Sequence, residues 1–180
     1  MFEVEIKARC FDKNSFIETI ISAGAIHVET REEVDMYFNH PQRNFAETDE
    51  ALRLRRVGSK TFLTYKGPKV SAKSKARLEE ETCVENFDSM QKILYMVGFV
   101  ECNKVAKVRE VYTFDKIEIC VDSIEELGDF IELETISEHT EETEEYLLNI
   151  ANSFGISEFI RKSYLEMVLE KRINSFICLT

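Results

Sequence analysis

Glu3-Val-Glu5-Ile-Lys7 opens the chain as a strand whose charges all fall on one side. Side chains at i, i+2 and i+4 of a strand share a face, so Val4 and Ile6 point the other way. Four more stretches repeat the arrangement: Arg53-Leu-Arg55, Arg77-Leu-Glu79-Glu-Glu81, Lys107-Val-Arg109 and Glu132-Leu-Glu134. A single charged row is ordinarily a solvated outer face, because charged residues are mostly exposed. Five rows, acidic alternating with basic along the chain, are poorly explained that way. If the sheet closes on itself with the rows inward, carboxylates for a cation and ammonium or guanidinium groups for an anion share one interior. Such an interior suits a metal-bound polyphosphate.

The bulk numbers set the frame. The chain has 180 residues, 44% of them apolar, enough for one core, so a single domain is expected over residues 1–170 with 171–180 as an unassigned tail. The net charge of −11 argues against long nucleic acids and anionic membranes, which call for an excess of Lys and Arg over a face. No apolar run approaches membrane-spanning length, and the first residues enter a charged strand directly, so a soluble cytoplasmic protein is expected. Cys10, Cys83, Cys102, Cys120 and Cys178 show no C-x-x-C spacing and fit free thiols in a reducing compartment. Oligomeric state is open; the homodimer is the commonest assembly of soluble proteins.

The pattern alternates strands with two early helices. Asp12 can cap a helix over 13–23 that Gly24 ends, and Asp88 can cap a second that ends at Gly98. Strands are expected over Val34–Asn39, Ala51–Val57, Thr61–Lys66, Arg77–Glu85, Lys104–Phe114, Ile117–Asp122 and Phe130–Ser137. His40–Glu50 reads as a loop and Gly67–Lys75 as a mobile basic loop. Thr140 can cap a helix to Phe154, and a last helix covers Arg161–Glu170. Nineteen residues separate Glu5 from Gly24 and Glu79 from Gly98, which suggests two similar halves about a pseudo-twofold axis and favours a closed sheet.

Buried charges are tolerated when paired or bound to ions, so function is the better account of so many. Hard cations such as Mg²⁺ or Mn²⁺ take oxygen ligands, for which Glu3, Glu5, Asp122, Glu132 and Glu134 are the candidates. Lys7, Arg53, Arg55, Lys66, Lys107 and Arg109 suit phosphate oxygens. No glycine-rich phosphate loop occurs, and the three histidines lie apart from the charged strands.

The ordered set Glu3-x-Glu5-x-Lys7, Arg53-x-Arg55, Lys66, Arg77-x-Glu79-x-Glu81, Lys107-x-Arg109, Asp122 and Glu132-x-Glu134 resembles the CYTH superfamily of triphosphate tunnel metalloenzymes. Strings such as Asp35–Arg55, Val121–Glu134 and Lys162–Leu169 look most like its class IV adenylyl cyclase branch. The resemblance implies an α+β fold: a closed eight-stranded antiparallel β-barrel, or tunnel, with helices packed outside. It implies metal ligands at Glu3, Glu5, Glu132 and Glu134 with Asp122 in support, and phosphate contacts from Lys7, Arg53, Arg55, Lys66, Arg77, Lys107 and Arg109. Glu5, Lys7 and Glu134 are the catalytic candidates, and Glu79 and Glu81 match further tunnel positions. The implied activity is conversion of ATP to cyclic AMP and pyrophosphate with Mg²⁺ or Mn²⁺. Hydrolysis of inorganic or thiamine triphosphate, or polyphosphate binding without turnover, are the alternatives.

Overall fold

The computed structural model describes residues 2–68 and 77–177. Its elements are β1 (Phe2–Arg9), α1 (Lys13–Ser22), β2 (Ile26–Asn39), α2 (Phe45–Thr48), β3 (Ala51–Val57), β4 (Lys60–Lys66), β5 (Glu79–Val84), α3 (Phe87–Met96), β6 (Val100–Phe114), β7 (Ile117–Ile124), β8 (Gly128–Ser137), α4 (Thr140–Ser153) and α5 (Tyr164–Ile177). Most of the basic loop expected over Gly67–Lys75 lies outside the described residues.

All eight strands join one antiparallel sheet in the order β1-β8-β7-β6-β2-β3-β4-β5. Exchanging β1–β4 for β5–β8 reverses this order and leaves it otherwise unchanged, so the halves are related by a pseudo-twofold axis between β2 and β6. The same spacing separates Glu5 from Glu79 and Gly24 from Gly98. Both glycines take positive φ, 106° and 97°, just past α1 and α3, where a side chain would be strained.

The sheet is a strongly curled half-barrel and not the closed barrel expected. Among the described residues its edges meet at one isolated antiparallel bridge, Glu3 with Arg77. The reason lies at the seam: β5 has six residues and starts past Arg77, and there Lys66 bonds Glu79 at 2.5 Å and approaches Glu3 at 3.6 Å.

The alternation sorts apolar residues to the convex face. Val4, Ile6, Ile119, Val121, Ile131 and Leu133 pack under α1 and α4 through Phe16, Ile20, Leu147 and Ala151. Met36, Phe38, Leu52 and Leu54 pack under Leu94 of α3. A third cluster sits on the concave side, where Tyr164 and Val168 of α5 cover Tyr37, Val105, Ile124 and Phe130. Helix α5 thus closes part of the trough and sets its depth.

Local expectations differ at several ends. Asp12 caps α1, its side chain accepting from Ser15 N at 3.0 Å. In α3 the cap is Asn86, not Asp88, which falls inside the first turn. His139 precedes α4 without a side-chain cap bond, and Thr140 is already helical. Strand β2 starts at Ile26, eight residues before the expected Val34, a four-residue helix occupies part of the His40–Glu50 loop, and α5 runs on to Ile177.

Candidate active site

Strand register puts the charged rows on one wall. Across β1 and β8, Glu5 faces Glu134 and Lys7 faces Glu132. Across β6 and β7, Arg109 faces Asp122. Across β2 and β6, Lys107 faces Glu33, and across β2 and β3, Asp35 faces Arg55 and Tyr37 faces Arg53. Across β4 and β5, Lys66 faces Glu79 and Thr64 faces Glu81. Opposed residues in a ladder share a face, so all of these project into the trough. Most of them border a cavity of about 700 Å³ that takes in every sequence-predicted site residue except Asp122, which is fully buried in its floor.

The floor is a lattice of ion pairs. Arg109 donates to both Asp122 oxygens at 2.6 Å, and Lys107 donates to Asp122 at 3.0 Å. Arg55 donates to both Asp35 oxygens at 2.6 and 2.7 Å. Glu33 lies 3.1 Å from Arg55 and 3.3 Å from Lys107, and accepts from Arg31 at 2.7 Å. Bidentate pairs of this kind fix the guanidinium planes. Asp35 and Arg109 hold corresponding positions in the two halves, so each half contributes one bidentate pair with the charges exchanged between strands. Burial acts to raise the Asp35 carboxyl, yet the charges of Arg55 and Arg53 outweigh it and hold the group at about 2. Glu33 is likewise lowered, burial being outweighed by Lys107 and Arg55.

A different electrostatic setting holds Glu3, Glu5 and Glu134. One ligand oxygen from each lies within 4.8 Å of the others. Burial, opposed by Arg109 and reinforced by Glu3, Glu132 and Glu5, pushes the Glu134 carboxyl up to about 8. Beside the seam, burial also raises Glu79 to about 7 against the pull of Lys66, with Glu3 adding to the rise. Three half-buried carboxylates held this close repel unless a proton or a cation stands between them. The donor set, all oxygen and open to the cavity, fits a hard divalent cation with substrate phosphates completing its shell.

Asp122 and Glu132, expected among the metal carboxylates, lie against cations. Asp122 holds Arg109 and Lys107, and Glu132 holds Lys7 at 2.9 Å and also bonds Arg109. Arg53 donates to Thr64 at 3.1 Å and approaches Glu81 at 3.5 Å. Arg77 is buried at the seam bridge, and Lys66 sits beside Glu79 and Glu3.

Sequence reasoning missed Arg31, Glu33, Asp35, Tyr37, Thr64 and Tyr164. For the first four the signal was available, since Arg31-x-Glu33-x-Asp35-x-Tyr37 has the same two-residue spacing as the rows that were read. Starting the strand at Val34 hid it. Thr64 and Tyr164 carry no charge and gave no such signal.

The chain matches the CYTH domain family over residues 1–164 and belongs to it. A Methanocaldococcus jannaschii protein, provisionally named an adenylate cyclase, is 41% identical over 172 residues, spanning 93% of this chain and 98% of that one. Adenylate cyclase CyaB of Aeromonas hydrophila is 25% identical over 163 residues, 87% of this chain and 82% of that one. Among solved structures, protein PH1819 of Pyrococcus horikoshii superposes with a TM-score of 0.86 at 39% identity, covering 94% of this chain and 99% of its own. A Hippeastrum protein, provisionally named an adenylyl cyclase and described as having a dominant triphosphatase activity, has a TM-score of 0.67 at 19% identity over 91% of this chain and 92% of its own, a likeness of fold alone. Among the described residues no helix is long and apolar enough to cross a membrane.

Proposed function

We propose that this protein is a divalent-metal-dependent enzyme acting on a linear triphosphate in the trough, and that with ATP it is a class IV type adenylyl cyclase. The observation that carries this reading is the placement of Lys7, Arg53, Arg55, Lys66, Lys107 and Arg109, from β1, β3, β4 and β6, on one wall with the Glu3, Glu5 and Glu134 carboxylates. Phosphate binding alone needs only the basic groups; the convergent carboxylates favour an enzyme over a passive binder. Glu3, Glu5 and Glu134 would hold Mg²⁺ or Mn²⁺, which when bound would neutralise phosphate charge and polarise the attacked phosphorus. Glu132 and Asp122 act here as buried counter-ions that orient Lys7, Lys107 and Arg109 toward phosphate oxygens.

In the cyclase reaction the ribose 3′ hydroxyl gives up its proton to solvent, its oxygen bonds to the α-phosphorus, the bond from that phosphorus to the bridging oxygen breaks, and pyrophosphate leaves. The chain's own contribution is positioning and charge neutralisation, with no covalent step. The cyclase names of relatives sharing nearly the whole chain favour this outcome. Hydrolysis at the terminal phosphorus is the second reading, favoured by a charged wall whose groups all suit phosphate or metal.

Product analysis decides between them. Incubation with ATP, and separately with inorganic triphosphate, in Mg²⁺ or Mn²⁺ is followed by phosphorus NMR and chromatography. Cyclic AMP with pyrophosphate is the expected result; orthophosphate release moves the protein to the hydrolases. Glu5→Gln or Glu134→Gln is expected to cut turnover by roughly 100-fold or more while triphosphate binding persists. Unchanged turnover in both variants removes the metal assignment.

A further inference from the structure

Tyr164 begins α5 and is 6% exposed. Its ring packs edge-on against Phe130 with centroids 5.2 Å apart, and two ammonium groups approach it. Lys7 Nζ, from β1, lies 3.4 Å from the ring centroid, and Lys107 Nζ, from β6, lies 5.2 Å from it. Both distances fall within cation–π range, where a desolvated ammonium gains most. Each lysine also meets acids of its own: Glu132 for Lys7, and Asp122 and Glu33 for Lys107. The ring is a contact the two share.

The platform is fixed from below. Ser163 and Glu166 bond each other's backbone N–H, a reciprocal cap that sets where α5 starts. Ile160 N donates to Lys7 O at 2.7 Å, and Lys7 Nζ donates to Lys162 O at 3.4 Å, tying the segment before the helix to β1. At the far end Arg172 donates to Asn103 at 2.9 Å and to Glu126 at 2.7 Å, pinning the helix over β6 and the β7–β8 turn.

We infer that Tyr164 is a positioning residue of the triphosphate site, its ring holding the Lys7 and Lys107 ammonium groups of two distant strands at the cavity where they can meet phosphate oxygens. This rests on the triphosphate reading above. A plain packing role predicts that any apolar side chain of similar size serves; the platform role requires an aromatic face.

The test is a series at one position: Tyr164→Phe, Tyr164→Trp and Tyr164→Leu, each first shown to melt cooperatively, with Tyr164→Met in place of any leucine variant that does not. Inorganic triphosphate binding is measured by calorimetry, and KM and kcat on the substrate turned over by the parent protein. Phe and Trp are expected to bind within about twofold of the parent, whereas Leu or Met binds about tenfold more weakly, the loss falling in KM and not kcat. In ligand-free protein the ε-methylene protons of Lys7 and Lys107 are expected upfield under the ring current, retained in Phe and lost in Leu. Parent-like affinity in Leu, or a loss in Phe equal to that in Leu, overturns the inference. Parent protein that binds no triphosphate removes the functional reading and the positioning role with it, while the NMR shifts still report whether the ring holds the lysines.

Discussion

At the scale of single residues, the buried carboxylates do two jobs, and their surroundings tell which. Asp122 has no solvent exposure and is the shared partner of Arg109 and Lys107. Removing one member of a buried pair leaves uncompensated charge, so Asp122→Asn is expected to cost roughly 3 kcal/mol, read as a lower urea midpoint with an unchanged slope. A smaller loss than for an average core substitution would mean that water reaches the floor. Asp35 offers a pH test. Its carboxyl is held near 2 in the fold, burial being outweighed by Arg55 and Arg53, below the usual unfolded value of about 3.9. A carboxyl lowered by folding stabilises fully above its unfolded value and loses that contribution as pH falls through the folded one. Denaturation at fixed temperature should therefore show about 2 kcal/mol of stability lost between about pH 4 and pH 2 that Asp35→Asn, less stable at neutral pH, no longer loses.

At the scale of elements, legibility followed the period. Every charged row that was read falls on the wall because alternation in a strand fixes the facing of each residue regardless of where the strand ends. The error on β2 shows the limit: residues 29–33 alternate polar with polar, since Thr30 and Glu32 lie on one side and Glu29, Arg31 and Glu33 on the other, and no apolar face announced a strand there. Glu33 is nevertheless fully buried, because Lys107, Arg55 and Arg31 surround it, a fact set by strands far apart in sequence. Caps were legible where side-chain geometry decides, as at Asp12. They were misread where two polar residues close together compete, as at Asn86 and Asp88. The concave packing of α5 was invisible for a related reason: its amphipathic pattern gives a buried face but not the surface that face meets.

At the scale of the whole molecule, the two sides of the sheet, β1-β8-β7-β6 and β2-β3-β4-β5, pair through β2 and β6 in the middle, and among the described residues their outer edges pair again at the Glu3–Arg77 bridge. A ligand gripped by Lys7 on β1, Lys66 on β4 and Arg77 ahead of β5 spans that seam without any new ladder. Binding to the folded state alone stabilises it by mass action, about 2.7 kcal/mol at a hundredfold excess over Kd. For a domain of this size that corresponds to a rise in Tm of about 5–10 °C. Inorganic triphosphate is expected to produce it, and orthophosphate at the same concentration, too short to reach across, is not. Amide exchange should slow most in the edge strands β1 and β5, since edges open at lower cost than strands paired on both sides. A Tm rise with protection confined to β2 and β6 would place the ligand on the floor lattice and leave the seam open; equal shifts from orthophosphate and triphosphate would mean that one phosphate pocket, and not the length of the trough, is the site.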